Sequence, residues 1–306
     1  MAHSPLRTRV VHANDLEFGI LEAGPEQGPL ALCMHGFPDS AHTWRHLLPR
    51  LGDAGFHAVA PFTRGYAPTG IPADGAYSVG ALAADAHVLH EVLGGDADAV
   101  LIGHDFGAEA GYAAAAFAPG RWRRLVTLAV PPASLDPVLF SDYQQLKRFF
   151  YLFFFRDPAG FADAVVSAGN MAFLDQLWRE WSPGYDATQE LANVKECLRD
   201  PEHLAAAIGY YRAAPDGSAD PSENPGSIQG LIRSEAHVGQ APQPTLYLHG
   251  ADDGCISVDL ARRAESLLAP GSRMVVIGEA GHFLHLEKPS EVNEYILAWT
   301  SAANPS

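Results

Sequence analysis

The chain has 306 residues, of which 47% are hydrophobic and 18% charged, enough apolar material for a large buried core. Its formal net charge of -16 repels a phosphate backbone or an anionic surface, and Arg121, Arg123 and Arg124 form the densest basic group, so nucleic acid is not an expected partner. MAHSPLRTRV lacks the apolar stretch of a signal peptide and FFYLFFF (149–155) is too short to cross a bilayer, so no membrane partner and a cytoplasmic location are expected.

TRVVHAN and LEFGILEAG, around a turn at Asn14-Asp15, predict an antiparallel hairpin at a sheet edge. PLALCMHG (29–36), HAVAPFTRG (57–65), DAVLIGHD (98–105) and RRLVTLAV (123–130) are nearly continuous apolar runs of the kind found in buried parallel strands. Helical segments separate them: HTWRHLLPRLGDAG, VGALAADAHVLHEVLGG and GAEAGYAAAAFAPG. From 134 to 240 strand-like runs are missing. Aromatic-rich helical stretches (DYQQLKRFFYLFFF, FADAVVSAGNMAFLDQLWREW, ATQELANVKECLRD, HLAAAIGYYRAA) lead into a polar loop, PDGSADPSENPG (215–226). PTLYLHGADD and SRMVVIGEAG then restore the strand pattern before a terminal helix, EVNEYILAWTSA. The expected fold is therefore α/β: a mostly parallel central sheet with helices on both faces, formed by 1–133 and 241–306, with a helical lid insert at 134–240.

Functional groups in such a sheet gather beyond the carboxyl ends of the strands. There the chain offers His35-Gly36-Phe37-Pro38, Asp105, Asp252-Asp253 and His282. In GHDFGAEAG (103–111), Gly103 and Gly107 flank Asp105 in the frame of a tight strand-to-helix turn that presents a nucleophile. A carboxylate attacking carbon forms an alkyl ester, and a separate group must then activate the water that cleaves it. His282, oriented by an acid, suits that second task. The backbone N–H groups of Phe37 and Phe106 would hold the oxyanion of ester hydrolysis. Each residue also has a plainer reading. Asp105 could be a turn aspartate, His282 a structural histidine, and Tyr151, inside FFYLFFF, a packing residue. Adjacent Asp252 and Asp253 both remain candidates for the orienting acid. Tyr210 and Tyr211 differ by about 100° on a helix, so only one of them can face a given site. Cys33, Cys197 and Cys255 have no disulfide or zinc spacing, and His282 and His285 lack a third ligand at metal spacing, so neither a metal nor another cofactor is expected.

The set HGFP (35–38), RGYAPTG (64–70), GHDFG (103–107), HGADD (249–253) and GHFLHLEKP (281–289) resembles the epoxide hydrolase branch of the α/β-hydrolase superfamily over nearly the whole chain. The resemblance implies the α/β-hydrolase fold, Asp105 as nucleophile toward an epoxide carbon, Asp253 as the acid that orients His282, and an oxyanion hole built by HGFP. It also implies two lid tyrosines on the epoxide oxygen. FYLFFFRDPAG and YYRA place Tyr151 and Tyr211 in that role. Phe37, Phe106, Phe154, Trp178 and Trp181 are expected to line an apolar pocket, which makes a small apolar epoxide the expected partner and leaves a homodimer open. A haloalkane dehalogenase would use the same nucleophile and histidine but needs side-chain N–H donors for halide, which Phe37 and Phe106 lack. A ligand-binding protein on this fold is the third reading.

Overall fold

The computed structural model describes residues 3–157, 159–213 and 240–302. Eight strands form one sheet: β1 (Arg7–Ala13), β2 (Leu16–Ala23), β3 (Leu30–Met34), β4 (His57–Pro61), β5 (Val100–His104), β6 (Arg124–Leu128), β7 (Thr245–Gly250) and β8 (Arg273–Ile277). Their spatial order is β1-β2-β4-β3-β5-β6-β7-β8. The pairings of β1 with β2 and of β2 with β4 are antiparallel and the others parallel. The edge hairpin turns at Asn14 and Asp15, both at positive φ (47° and 59°), as a two-residue turn matching strand twist requires.

Nine helices, α1 (Leu48–Asp53), α2 (Val79–Val92), α3 (Phe106–Phe117), α4 (Asp136–Leu139), α5 (Tyr143–Arg148), α6 (Phe150–Phe155), α7 (Phe161–Trp181), α8 (Thr188–Cys197) and α9 (Pro201–Arg212), precede β7 among the described residues. A short helix Leu284–Glu287 and the helix Pro289–Ser301 close the chain. Alternation along each strand feeds two cores. In β5, Val100 and Ile102 pack on one face with Leu48, Ile296 and the helices between β6 and β7, while Leu101 packs on the other with Ala83, Leu89 and Ala114 of α2 and α3. Between β6 and β7 every regular element among the described residues is helical. The polar stretch 215–226 lies outside the described residues.

Two helical expectations change in detail. HTWRHLLPRLGDAG is a 3-10 turn, Ala41–His46, followed by α1, because Pro49 can open a helix but cannot continue one. The stretch 161–181 is interrupted at Ala168–Met171, where Gly169, Asn170 and Met171 all take positive φ near 58°. Glycine and asparagine adopt that conformation with least strain. The basic group is paired: Arg121 with Glu91, Arg123 with Asp98, and Arg124 over the Trp299 ring. No helix among the described residues is long and apolar enough to cross a membrane.

One buried ion pair ties distant parts together. Arg64, from RGYAPTG, donates to both oxygens of Asp85 on α2 (2.6 and 2.5 Å) and to the Ala76 carbonyl (2.7 Å). Asn14 of the edge turn donates to the same Asp85 (2.7 Å), and the Tyr210 hydroxyl of α9 donates to the Arg64 carbonyl (2.7 Å). Breaking such a pair leaves a charge in the core, whereas joint apolar replacement does not. The Arg64→Met variant is expected to lose about 3–5 kcal/mol in a denaturant titration. An added Asp85→Leu should recover most of it. A loss below ~1 kcal/mol for the single variant would show that the pair is dispensable.

Candidate active site

The chain reverses its order in the sheet at β3, which lies between β4 and β5, and ligands of open parallel sheets bind at such a point. β3 runs into His35-Gly36-Phe37, and β5 runs through His104 into Asp105 at the start of α3. Asp105 sits at φ 52°, ψ -124°, a strained conformation for a residue with a side chain. The turn closes only because its neighbours are bare. A Cβ on Gly103 would lie 2.1 Å from the Gly107 carbonyl oxygen, and one on Gly107 would lie 2.1 Å from that of Met34. On Gly36 it would meet Asp105 Oδ1 at 2.3 Å and the Phe106 nitrogen at 2.7 Å.

The Phe37 N–H donates to Asp105 Oδ1 (2.8 Å). The other oxygen, Oδ2, is 3.6 Å from His282 Nε2. On the far side of the imidazole, Nδ1 donates to Asp253 Oδ2 (3.0 Å), and Asp253 Oδ1 accepts from the N–H groups of Cys255 (2.7 Å) and Ile256 (2.9 Å). Asp252 is exposed, whereas Asp253 is buried. The His282 backbone is held at both ends, its N–H on the Trp181 carbonyl (2.9 Å) and its carbonyl under His104 Nε2 (3.0 Å). Burial alone would lower the His282 pKa, but the carboxylates of Asp253 and Asp105 outweigh it and raise it. For both carboxyl groups burial pushes upward, yet His282 beside them holds each below the usual carboxylate range. The arrangement is an imidazole between two carboxylates, each of which favours its charged form, with one carboxylate oxygen on a backbone donor.

Aromatic side chains close over Asp105. On α6, Tyr151 and Phe155 stand four residues apart and share the buried face, as helical spacing requires. Tyr211 of α9 contacts Phe37, Phe106, Tyr151 and Phe155 at ring separations of 5.1, 5.0, 5.7 and 5.0 Å. Tyr210 is turned to the Arg64 carbonyl and stacks on Tyr77. Burial raises the pKa of Tyr151 and Tyr211 well above the usual phenol value, and both stay neutral donors. The Tyr151 hydroxyl rests 3.3 Å from the Cys255 thiol, two residues after Asp253.

Not every expected pocket residue stands here. Phe154 packs outward on Phe161 and Phe173, and Phe155 takes the place expected for it, because adjacent helical positions diverge. Trp178 stacks flat on Phe283 (3.4 Å between ring centres) and donates to the Pro38 carbonyl (2.8 Å), a buttress behind the site. Trp181 lies between Tyr151 (5.0 Å) and His282 (5.1 Å). A surface depression of about 330 Å³, lined by Lys147, Arg148, Phe150, Glu180, Trp181 and Gly254, reaches Trp181 from outside but not Asp105. Sequence reasoning missed two supports of the acid loop. Arg148 donates to the Asp253 carbonyl (2.7 Å), and Gln145 bridges the Cys255 carbonyl (2.7 Å) and the Ser257 N–H (2.9 Å). No spacing links 145 or 148 to 253 along the chain.

The chain is 28% identical to Epoxide hydrolase A of Mycobacterium tuberculosis, covering 94% of this chain and 95% of the relative, and 28% identical to Epoxide hydrolase 4 of Homo sapiens, covering 93% and 75%. The solved structure of Epoxide Hydrolase A from Mycobacterium thermoresistibile superposes with a TM-score of 0.77 at 25% identity, covering 96% of this chain and 98% of that one. With residues 29–289 matching the alpha/beta hydrolase fold family, the chain belongs to the α/β-hydrolases.

Proposed function

We propose that this protein is an epoxide hydrolase that converts an apolar epoxide and water to a vicinal diol through an ester on Asp105, beneath a lid formed by the helical insert at 134–240. The observation that carries the reading is the Asp105 carboxylate, with Oδ1 on the Phe37 N–H and Oδ2 toward His282, facing the tyrosines of α6 and α9. The names of the relatives support the substrate class.

In the first step Asp105 Oδ2 attacks a ring carbon. The carbon–oxygen bond breaks, its electron pair stays on the epoxide oxygen, and Tyr151 and Tyr211 hydrogen-bond that oxygen as charge develops. Tyr151 gives up only a weak acceptor, the Cys255 thiol. Esterification removes the negative charge of Asp105, and with it one of the two carboxylates that raise the His282 pKa. His282 can then release the proton that the new alkoxide needs, and is left neutral. In the second step neutral His282 takes a proton from water and the hydroxide attacks Asp105 Cγ. Charge collects on Oδ1, which the Phe37 N–H already holds, with the Phe106 N–H as second donor. Collapse expels Oδ2 with the product, which takes its proton from His282. Asp105 keeps the water oxygen, and its proton restores the imidazolium. Beside Asp105, the Phe37 and Phe106 rings offer a leaving halide no N–H, which favours an epoxide over a haloalkane.

One turnover in oxygen-18 water with excess enzyme is expected to give an unlabelled diol and a labelled Asp105, and the His282→Gln variant to accumulate the ester as a mass increase. Label in the first diol would mean direct attack by water. Asp253→Asn should cut kcat by about 10⁴-fold, as loss of a triad acid does, while Asp252→Asn stays near the parent rate. Equal losses in the two would remove Asp253 from the mechanism. Tyr211→Phe is expected to slow ester formation roughly 100-fold, the worth of one donor of about 3 kcal/mol. Tyr210→Phe should instead cost about 1 kcal/mol of stability, from its bond to Arg64. A reversed pattern would assign the donor to Tyr210.

A further inference from the structure

Beside His282, three polar side chains from separate parts of the chain converge. Asp39 follows the β3 turn, His104 ends β5, and His285 lies on the short helix Leu284–Glu287. All three are buried, and ligand atoms from the three lie within 4.8 Å of one another. Asp39 Oδ2 and His104 Nδ1 are 3.8 Å apart. Each residue is held from outside. His104 donates through Nε2 to the His282 carbonyl (3.0 Å), His285 Nε2 shares a hydrogen bond with the Thr43 hydroxyl (2.5 Å), and Asp39 Oδ1 accepts from the Ser40 N–H (2.8 Å). The His285 ring is further fixed by stacking on Trp44.

With Nε2 of both histidines protonated and Asp39 ionised, the state that metal ligation requires, each inner atom carries a lone pair. Asp39 Oδ2, His104 Nδ1 and His285 Nδ1 are buried with no hydrogen-bond partner among the described residues. In that state the three atoms are all acceptors and cannot satisfy one another, and leaving them unmet is costly. A single water has two protons for three acceptors. A divalent cation meets all three lone pairs.

We propose that Asp39, His104 and His285 form a binding site for a divalent d-block cation of zinc type, adjoining the Asp105–His282 pair through the hydrogen bond from His104 to the His282 carbonyl. Two imidazoles and one carboxylate are a donor set that zinc accepts, with a fourth position left for water. The outer partners on both histidines are those that ligating histidines carry, a carbonyl for His104 and a hydroxyl for His285. Zinc–nitrogen bonds of about 2.1 Å put tetrahedral ligand atoms ~3.4 Å apart, so closing on the ion requires only small tilts of the side chains. Sequence spacing leaves His285 without a third ligand beside it. The fold supplies two from residues 181 and 246 positions away along the chain.

The test uses the full chain, stripped with a chelator and titrated with Zn²⁺ by calorimetry and with Co²⁺ by visible absorption. One Zn²⁺ per chain, a low-symmetry cobalt spectrum and a Tm that climbs with Zn²⁺ concentration are expected. His285→Gln and Asp39→Asn should each weaken binding by more than the ~100-fold that loss of an outer partner costs. Binding that persists unchanged in His285→Gln, or cobalt that keeps its octahedral aqua spectrum, would overturn the site. Should both variants fail to fold, crystals of the parent grown with Zn²⁺ decide. An anomalous peak between the three inner atoms supports the site, and water there, or a peak elsewhere only, refutes it.

Discussion

Everything in the active-site region depends on one backbone conformation, the positive φ of Asp105 at the junction of β5 and α3. That conformation costs energy for any residue but glycine, so it persists only where the surroundings leave no alternative. Here the restraint comes from close approach. Gly103, Gly107 and Gly36 bring backbone atoms to distances a methyl group could not share, and the parallel sheet fixes β3 and β5 on either side. The carboxylate is then pushed clear of α3, against the Phe37 N–H and toward His282, with no freedom to relax into a helix cap. Glycine and aspartate are therefore parts of a single device.

A second constraint is electrostatic. One imidazole faces two carboxylates in a buried setting, and the three groups stabilise one another's charged forms. Neutralising one carboxylate changes the proton affinity of the imidazole without any motion of the backbone, and in the proposed reaction that coupling times His282 as a base. Asp253 is suited to the constant partner because its other oxygen is spent on two backbone donors, whereas Asp105 Oδ2 stands 3.6 Å from His282 Nε2.

Strands and the elbow were legible in the sequence because both are local. A continuous apolar run between glycines leaves little choice but a buried strand, and small residues two positions either side of Asp105 spell the turn. Features set by packing across the chain were not legible. Tyr210 and Tyr211 are equivalent as letters, and what separates them is the Arg64 carbonyl, which captures the Tyr210 hydroxyl from a loop 146 residues away. Phe154 and Phe155 differ in the same way: the helical phase set by Tyr151 turns Phe155 inward. Asp252 and Asp253 are distinguished by the turn in which the Asp253 side chain accepts from the next N–H groups, a geometry either residue could have adopted.

The helices between β6 and β7 also do more than cover the sheet. α5 grips the acid loop through Arg148 and Gln145, α6 carries Tyr151 against Cys255 of that loop, and the last residue of α7, Trp181, holds the backbone N–H of both Gly254 and His282 on its carbonyl. A carbonyl shared by the acid loop and the histidine loop fixes their separation, and therefore the Asp253–His282 bond, from outside the sheet. Displacing these helices as a body would strain that bond at the same moment as it withdrew Tyr151 from the site. α9, which carries Tyr211, is tied to the core through Arg64 and Gly65 and to α6 and α7 through Arg212, which donates to the Phe155 carbonyl and pairs with Asp163.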